Sequence, residues 1–146
     1  MFHYKDCGLD NVWLKNGFNE IETEYGPAIS IFNLEGLHST IGMQIIECNA
    51  LLNGKEIRFL RKEMDLSQKH LGEILGVSEE SIRGWEKGRN KITAPSDKLI
   101  RILYKEHETG DGMIRDALER LSQMNVEDHC RKIELESTDQ GWKTAA

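Results

Sequence analysis

The sequence predicts an α+β protein in which a small β-rich module precedes a larger helical domain. Residues 1–33 alternate apolar and polar positions around turn residues, which is typical of short strands. Residues 53–125 instead carry apolar residues at the spacing of amphipathic helices. Within them, residues 66–91 hold two short helical patterns separated by a tight turn. The chain of 146 residues has room for one ordinary domain or two small ones.

The N-terminal module, residues 1–50, is predicted to be a small sheet packed on one helix. Residues 12–14 and 18–21 flank Asn16-Gly17, the dipeptide most typical of a two-residue hairpin turn. A break at Tyr25-Gly26-Pro27 precedes a third strand at residues 28–32. Because such a sheet is too small to be stable alone, we expect a helix over residues 34–48 to pack on it.

Local start and stop signals predict five helices in residues 53–125. Asn53 and Glu56 form a capping pattern for a helix ending near Asp65, and Pro95 suits the start of the fourth helix. Ser67 and Ser78 are N-caps of the second and third helices, and a glycine, Gly76, ends the second. The predicted inward faces are Ile57, Leu60 and Met64; Leu71, Ile74 and Leu75; Ile82 and Trp85; Leu99, Ile102, Leu103 and His107; and Met113, Ile114, Ala117, Leu118, Leu121 and Met124. Residues 126–146 are predicted to be a mobile tail with one short strand at 132–136.

The helix-turn-helix region resembles a known family. Ser67-Gln68 opens one helix, residues 74–78 read Ile-Leu-Gly-Val-Ser at the turn, and Trp85-Glu86-Lys87-Gly88 closes the other. This pattern resembles the XRE/Cro-type helix-turn-helix of phage repressors and bacterial antitoxins. The resemblance implies a five-helix, lambda-repressor-like DNA-binding domain over residues 53–125, with the second and third helices as the reading pair and Trp85 in the core.

The charge distribution favours a nucleic-acid partner for the middle of the chain. The net charge is −6, but residues 1–52 carry −5, residues 53–107 carry +3 and residues 108–146 carry −4. The positive charge collects at and after the second helix of the reading pair. Lys98, Arg101 and Lys105 recur at helical spacing, either as an extension of this surface or as ordinary solvent-facing charge.

The reading helix offers side chains suited to the major groove of double-stranded DNA. Arg83 is suited to guanine O6 and N7 or to a phosphate, and Glu79 or Glu80 could accept from cytosine N4. The two acids could equally serve only to offset the helix dipole. The resemblance implies operator contacts for Gln68, Glu79 and Glu80, with Gly84 in place of a polar reader. The predicted DNA-binding residues are Ser67, Gln68, Ser78, Glu79, Glu80, Ser81 and Arg83, with Lys87, Arg89, Asn90 and Lys91 assigned to phosphates.

Other site classes are poorly supported by the sequence. His3, Cys7, His38 and Cys48 are mixed zinc-type ligands, but the chain has no Cys-x2-Cys pair, so no metal or cofactor is assigned. No phosphate-binding glycine-rich loop or base next to a cysteine supports an enzyme. No apolar run is long enough to span a bilayer and residues 1–8 lack a signal core. Three scattered cysteines suit a reducing compartment, so a cytoplasmic protein is expected.

These observations predict a sequence-specific regulator of transcription, namely a dimeric repressor that reads the major groove with residues 78–87. Either the last helix or the N-terminal sheet could form the dimer interface. One alternative is an antitoxin whose acidic N-terminal module binds a basic toxin while the helical domain represses its own operon. A second is a protein-interaction adaptor that does not bind DNA. A small-ligand site in the N-terminal module also remains open.

Overall fold

The structure, a computed structural model, describes residues 1–123 and 132–145 and confirms the α+β class. The N-terminal part contains strands β1 (Phe2–His3), β2 (Trp13–Leu14), β3 (Phe18–Thr23) and β4 (Gly26–Ile31), followed by helix α1 (Leu34–Glu47). Five further helices follow within the described residues: α2 (Gly54–Glu63), α3 (Gln68–Leu75), α4 (Glu79–Glu86), α5 (Ala94–Thr109) and α6 (Met113–Ser122). Strands β5 (Leu135–Thr138) and β6 (Gly141–Thr144) form a C-terminal hairpin.

The strand pairing differs from the predicted hairpin at Asn16-Gly17. Strand β2 pairs with β1, and β3 pairs with β4 around a turn at Glu24-Tyr25. The Thr23 hydroxyl donates to the Gly26 carbonyl at 2.7 Å, and Gly26 takes a φ of 110°. Gly17 also has positive φ, but it turns the chain between two separate ribbons. The prediction was wrong because turn chemistry reports a local bend and not the strand that each segment will pair with.

Helix α1 packs the N-terminal part onto the helical part. It begins after Asn33, whose side chain accepts from the Gly36 N–H at 3.2 Å, and it buries Ile41 and Ile45. Gly42 lies against the Tyr104 ring of α5, and a Cβ there would come within 2.0 Å of the Tyr104 hydroxyl. The buried apolar residues of both parts form one continuous core, from Tyr4 to Tyr104.

The predicted caps of the first three helices of the helical part are confirmed. Asn53 and Glu56 form a complete capping box at α2. The Ser67 side chain accepts from the His70 N–H, and that of Ser78 accepts from the Ser81 N–H. These caps satisfy N–H groups that a helix start leaves unpaired, so they need no tertiary context.

The buried face of α5 is rotated relative to the prediction. Ile100, Leu103 and Tyr104 are buried, whereas Ile102 is 42% exposed and His107 is exposed. Of the predicted stripe, Leu103 is buried and Leu99 is half-buried. Helix α5 contacts α1 as well as α2 and α6, and the contact with α1 brings Tyr104 inward. The apolar spacing of α5 by itself does not indicate that α1 packs against it.

Arg101 joins α5 to the segment that follows α1, and it does not face solvent as the charge stripe suggested. Its Nε donates to Asp97 at 3.0 Å, and its Nη1 donates to the Ile46 carbonyl at 3.0 Å. It also donates to the carbonyls of Cys48 and Ala50. Asp97 in turn accepts from the Leu52 N–H at 2.9 Å. This ion pair therefore fixes residues 46–52 against α5.

The C-terminal region differs in part from the prediction. Helix α6 forms as expected, but none of its residues is fully buried, so its predicted inward face was wrong. Leu118 packs on the core, whereas Met113, Ile114 and Leu121 are exposed because the helix lies at the edge of the core. Met124, predicted for its apolar face, and residues 126–131 of the tail lie outside the described residues. The predicted strand at 132–136 is shifted to β5, and β6 was not predicted. In the described part of the chain, no helix has the length and apolarity needed to cross a bilayer.

Candidate nucleic-acid interface

The predicted reading unit consists of α3, a tight turn and α4. Gly76 closes α3 with a φ of 74°, a conformation that glycine adopts without a steric penalty. The Val77 N–H donates to the Gly72 carbonyl at 2.9 Å. Gly72 also allows the turn to approach α3, because a Cβ there would lie 2.7 Å from the Val77 carbonyl oxygen. The turn residues thus allow a close approach of the two helices.

The inner side of α4 is anchored in the core. Ile82 is fully buried and Trp85 is 6% exposed, which confirms the predicted inward face. Gly54 at the start of α2 touches the end of α4, where a Cβ would lie 2.4 Å from the Glu86 carbonyl oxygen. Both contacts hold α4 rigidly, so its outer side is presented at a fixed angle.

A buried ion pair, missed in the sequence, connects α2 to the end of α4. Arg61 donates through Nε and Nη2 to the Glu86 carboxylate at 2.7 and 2.9 Å, and through Nη1 to the Leu66 carbonyl at 2.9 Å. Its side chain is 11% exposed and that of Glu86 is 5% exposed. Arg61 lies beside Leu60 and Met64 on the buried side of α2, and a charge in an apolar stripe was the available signal.

Gln68 belongs to the same network. Its Nε2 donates to Glu86 at 3.3 Å, and its side chain remains partly exposed. Ser67, Gln68, Glu79 and Lys87 line one groove of about 480 Å³ between α2, α3 and α4. Four of the predicted residues, separated by up to twenty positions in the chain, are therefore brought together. Arg58 of α2 lines this groove too, and it was not predicted.

The outer side of α4 carries a compact charged group formed by Glu79, Glu80 and Arg83. Arg83 donates to Glu79 through Nη2 at 3.3 Å and to Glu80 through Nη1. The Glu80 side chain is 77% exposed and the Glu79 side chain is 45% exposed. Ser78 and Ser81 are bound to each other at the cap, with 3.0 Å between their hydroxyl oxygens. All five predicted residues of this helix start thus lie together.

The segment after α4 turns sharply and exposes its cations. The Arg89 N–H donates to the Gly84 carbonyl at 2.9 Å, and Gly88 has a φ of 76°. Lys87, Arg89 and Lys91 are exposed, and none of them forms an ion pair within the described part of the chain. Such cations at a surface are suited to phosphate contacts.

Gly84, which by the resemblance stands in place of a polar reader, is not open to solvent. It is buried, and a Cβ there would lie 3.1 Å from the Asn90 Nδ2. The Asn90 side chain therefore lies over Gly84.

The residues considered for a metal site are engaged separately. His3 stacks on Trp13 with 4.0 Å between ring centroids, and His38 lies between Glu63 and the Tyr4 hydroxyl at 2.7 and 2.8 Å. The Cys7 thiol donates to the Tyr4 carbonyl at 3.5 Å, and Cys48 is exposed. Among the described residues, no group of three or more His, Cys, Asp or Glu side chains is placed to hold a metal ion.

Comparison with known proteins identifies the region that contains this surface. The helix-turn-helix family model matches residues 57–103, from within α2 to within α5. No curated protein sequence and no solved structure matches the chain. The family is one of regulatory DNA-binding domains and is not typically enzymatic. Residues 57–103 therefore form an XRE-type helix-turn-helix domain, and the protein is a DNA-binding regulator of transcription.

Proposed function

We propose that this protein is a sequence-specific repressor that binds its operator as a homodimer. The observation that carries the proposal is the arrangement of α4. Trp85 is buried on its inner side, whereas Glu79 and Glu80 are exposed on its outer side together with the half-buried Arg83. A rigid helix with exposed polar side chains fits the major groove, where each base pair has a distinct donor and acceptor pattern.

The residues at either end of the reading unit would fix its position on the duplex. Lys87, Arg89, Asn90 and Lys91 follow the helix, and Ser67 and Gln68 begin the preceding one. Phosphate contacts from such positions set the register and supply most of the salt dependence. A protein seated in this way blocks a promoter without needing any further contact, which is why we favour repression.

Dimerisation supports specificity because one reading unit covers too short a site. Two-fold symmetric proteins of this class place their reading helices on half-sites about 34 Å apart. Helix α6 is our candidate interface, since Met113, Ile114 and Leu121 are 74%, 37% and 61% exposed. Apolar side chains grouped on one exposed helix favour association with a second copy.

Fluorescence anisotropy tests this function with a duplex from upstream of the gene and a scrambled duplex of equal composition. We expect preferential binding to the native duplex, a stoichiometry of two chains per duplex, and a loss of about 1–3 kcal/mol for Arg83→Ala. Lys87→Ala should weaken binding to both duplexes and lower the salt slope by about one. Lys143→Ala is the matched control for Arg83→Ala, because Lys143 is an exposed cation that pairs with a carboxylate, that of Glu136, and lies in the C-terminal hairpin, outside both the proposed reading surface and α6.

The same assay separates this proposal from the adaptor alternative. If neutralising Arg83 and Lys87 leaves a cellular function intact and no duplex is preferred, the helical domain acts through a protein partner. Equal and strongly salt-dependent binding to both duplexes would also contradict a sequence-specific repressor, because phosphate contacts alone carry no sequence information.

A second candidate function, that of an antitoxin, is favoured by the ribbon formed by β3 and β4. Residues 16–54 contain no Lys or Arg, and Glu20 and Glu22 lie on β3 while Glu24 lies at the turn that follows it. Ile21 is 46% exposed and Tyr25 at the turn is 99% exposed. A two-stranded ribbon is marginal on its own, so an acidic and partly apolar one is suited to a basic protein partner.

This candidate predicts a gene for a small basic protein next to the gene for this chain. The two proteins should co-purify after co-expression, and the triple variant Glu20→Gln, Glu22→Gln, Glu24→Gln should weaken the complex. The matched control changes Glu134 and Glu136 to Gln in the C-terminal hairpin. An adjacent protein that co-purifies equally with all three forms would show that the ribbon is not its docking surface.

A further inference from the structure

We propose that Glu79, Glu80 and Arg83 select G·C base pairs, so that the operator half-site carries G·C at the positions that α4 faces. The inference rests on the proposed function and specifies which bases the reading surface accepts. It is carried by the geometry of these three side chains, because the half-buried Arg83 bonds to the exposed carboxylates of both Glu79 and Glu80.

The two carboxylates disfavour every base edge except that of cytosine. A carboxylate accepts hydrogen bonds and cannot donate them. In the major groove, guanine presents the acceptors N7 and O6, and thymine presents O4 with a methyl group. Adenine offers its N6 donor next to its own N7 acceptor, whereas the major-groove edge of cytosine itself offers the N4 donor and no acceptor. An acid at the start of α4 is therefore matched best by cytosine.

Arg83 is suited to the guanine of the same G·C base pairs. Its bonds to Glu79 and Glu80 use Nη1 and Nη2 and leave Nε–H and further N–H groups of the guanidinium available. Guanine alone places two acceptors, O6 and N7, where a guanidinium can bond to both. The guanidinium donor beside two carboxylate acceptors is thus complementary to a G·C pair, in which guanine presents two acceptors beside the cytosine donor. The acids also fix the guanidinium, which lowers the entropy lost when it binds.

The charge of this surface explains why binding needs hydrogen bonds from a particular base to the two carboxylates. Glu79, Glu80 and Arg83 together carry a net charge of −1, which is repelled by phosphates. Lys87, Arg89 and Lys91 next to them offset this repulsion on any sequence. Sites without cytosine keep the repulsion and gain no bond from the carboxylates, so they bind more weakly.

If the acids only offset the helix dipole, neutralising them would change stability and leave base choice unaltered. The test therefore substitutes glutamine, which is isosteric with glutamate and is suited to bonding bidentately with adenine N6 and N7. Glu79→Gln and Glu80→Gln are compared with the full-length wild-type chain. The control is Glu73→Gln, an exposed acid on α3 that lines a cleft with Glu119 of α6, away from the proposed reading surface.

Each protein is used to select duplexes from a randomised pool, and the enriched sequences are read. For the wild type and the control we expect half-sites with G·C at the positions facing α4, and about a tenfold loss of affinity when one of them is changed to A·T. At least one of the two Gln variants should shift a position from cytosine to adenine, and circular dichroism should show that all four proteins are folded alike.

Two results would overturn this inference and leave the sequence-specific repressor standing. One is a defined site with A·T at the positions that face α4. The other is a defined site whose base preferences are the same for the wild type and both Gln variants. Failure to enrich any site would overturn the repressor proposal and this inference with it.

Discussion

The buried ion pair between Arg61 and Glu86 makes the sharpest prediction about stability. Replacing Glu86 by Gln keeps the shape of the side chain but removes the charge that neutralises Arg61, whose side chain is only 11% exposed. Water reaches little of the guanidinium at this position, so the substitution leaves a largely buried charge without a counter-charge. We expect Glu86→Gln to lower the free energy of unfolding by about 3–5 kcal/mol.

Two independent routes give this magnitude. Arg61 makes two hydrogen bonds to the Glu86 carboxylate, at 2.7 and 2.9 Å, and bonds to charged groups contribute about 1.5–3 kcal/mol each. Removing one partner of a buried pair costs about 3–5 kcal/mol in other proteins. Because both side chains are almost fully buried, solvent screening reduces the figure little.

Urea unfolding followed by circular dichroism measures the effect, provided that the m-value is unchanged. Arg61→Met should cost a similar amount, whereas the double variant Arg61→Met, Glu86→Leu should lose much less than the sum, because it buries no unpaired charge. Glu73→Gln is the control and should lie within about 0.5 kcal/mol of the wild type. A loss below about 1 kcal/mol for Glu86→Gln, or additive single variants, would refute this reasoning.

Three further predictions concern the helices around the reading unit. Arg101→Ala should expose residues 46–52 to limited proteolysis, because the clamp on their carbonyls is lost, while Lys98→Ala on the same helix should not; equal cleavage of both would contradict the clamp. Burial raises the pKa of the Tyr104 phenol, and the nearby Glu108 carboxylate raises it further. The Glu108 side chain does not reach the hydroxyl with hydrogen-bond geometry, so among the described residues this buried group has no partner. Tyr104→Phe should therefore keep or raise the free energy of unfolding by about 1 kcal/mol, and a loss of that size in thermal unfolding would show that the hydroxyl is bonded. Burial raises the pKa of Glu119, but hydrogen bonds from Arg115 and His70 outweigh it, so the net pKa lies below the ordinary 4.5. Its contribution to stability is fully present above pH 4.5 and is lost as the pH falls through the lowered pKa. Glu119→Gln should therefore reduce the loss of unfolding free energy on acidification, measured by urea titrations at several pH values. An unchanged pH dependence would contradict the lowered pKa.

The helix boundaries could be predicted because they depend on neighbouring residues. Ser67, Gly76 and Ser78 act through hydrogen bonds or dihedral angles within a few positions of themselves. Trp85 was likewise predicted to be buried, since it continues the apolar spacing of its own helix. These local signals were enough to position α3 and α4 and to place the proposed reading residues on one surface.

The wrong predictions concern features that depend on residues far away in the sequence. Gly17 marked a real bend, yet the strand before it pairs with β1, whose residues lie about ten positions earlier. The inward face of α5 was predicted from its own spacing, but α1 brings Tyr104 into the core in place of Ile102. The pairing of strands and the orientation of a helix depend on distant partners, and a single segment does not encode them.

The sequence by itself therefore determined the helix-turn-helix, its caps, its buried tryptophan and the cations after α4. The tertiary structure decided which charges meet: Arg61 with Glu86, Arg101 with the carbonyls of residues 46–50, and Arg83 with two acids. It also showed that Asn90 lies over Gly84. Capping and spacing act over one helical turn, whereas the energy of a charged side chain depends on its burial and on its partner. Both of these exist only once the chain has folded.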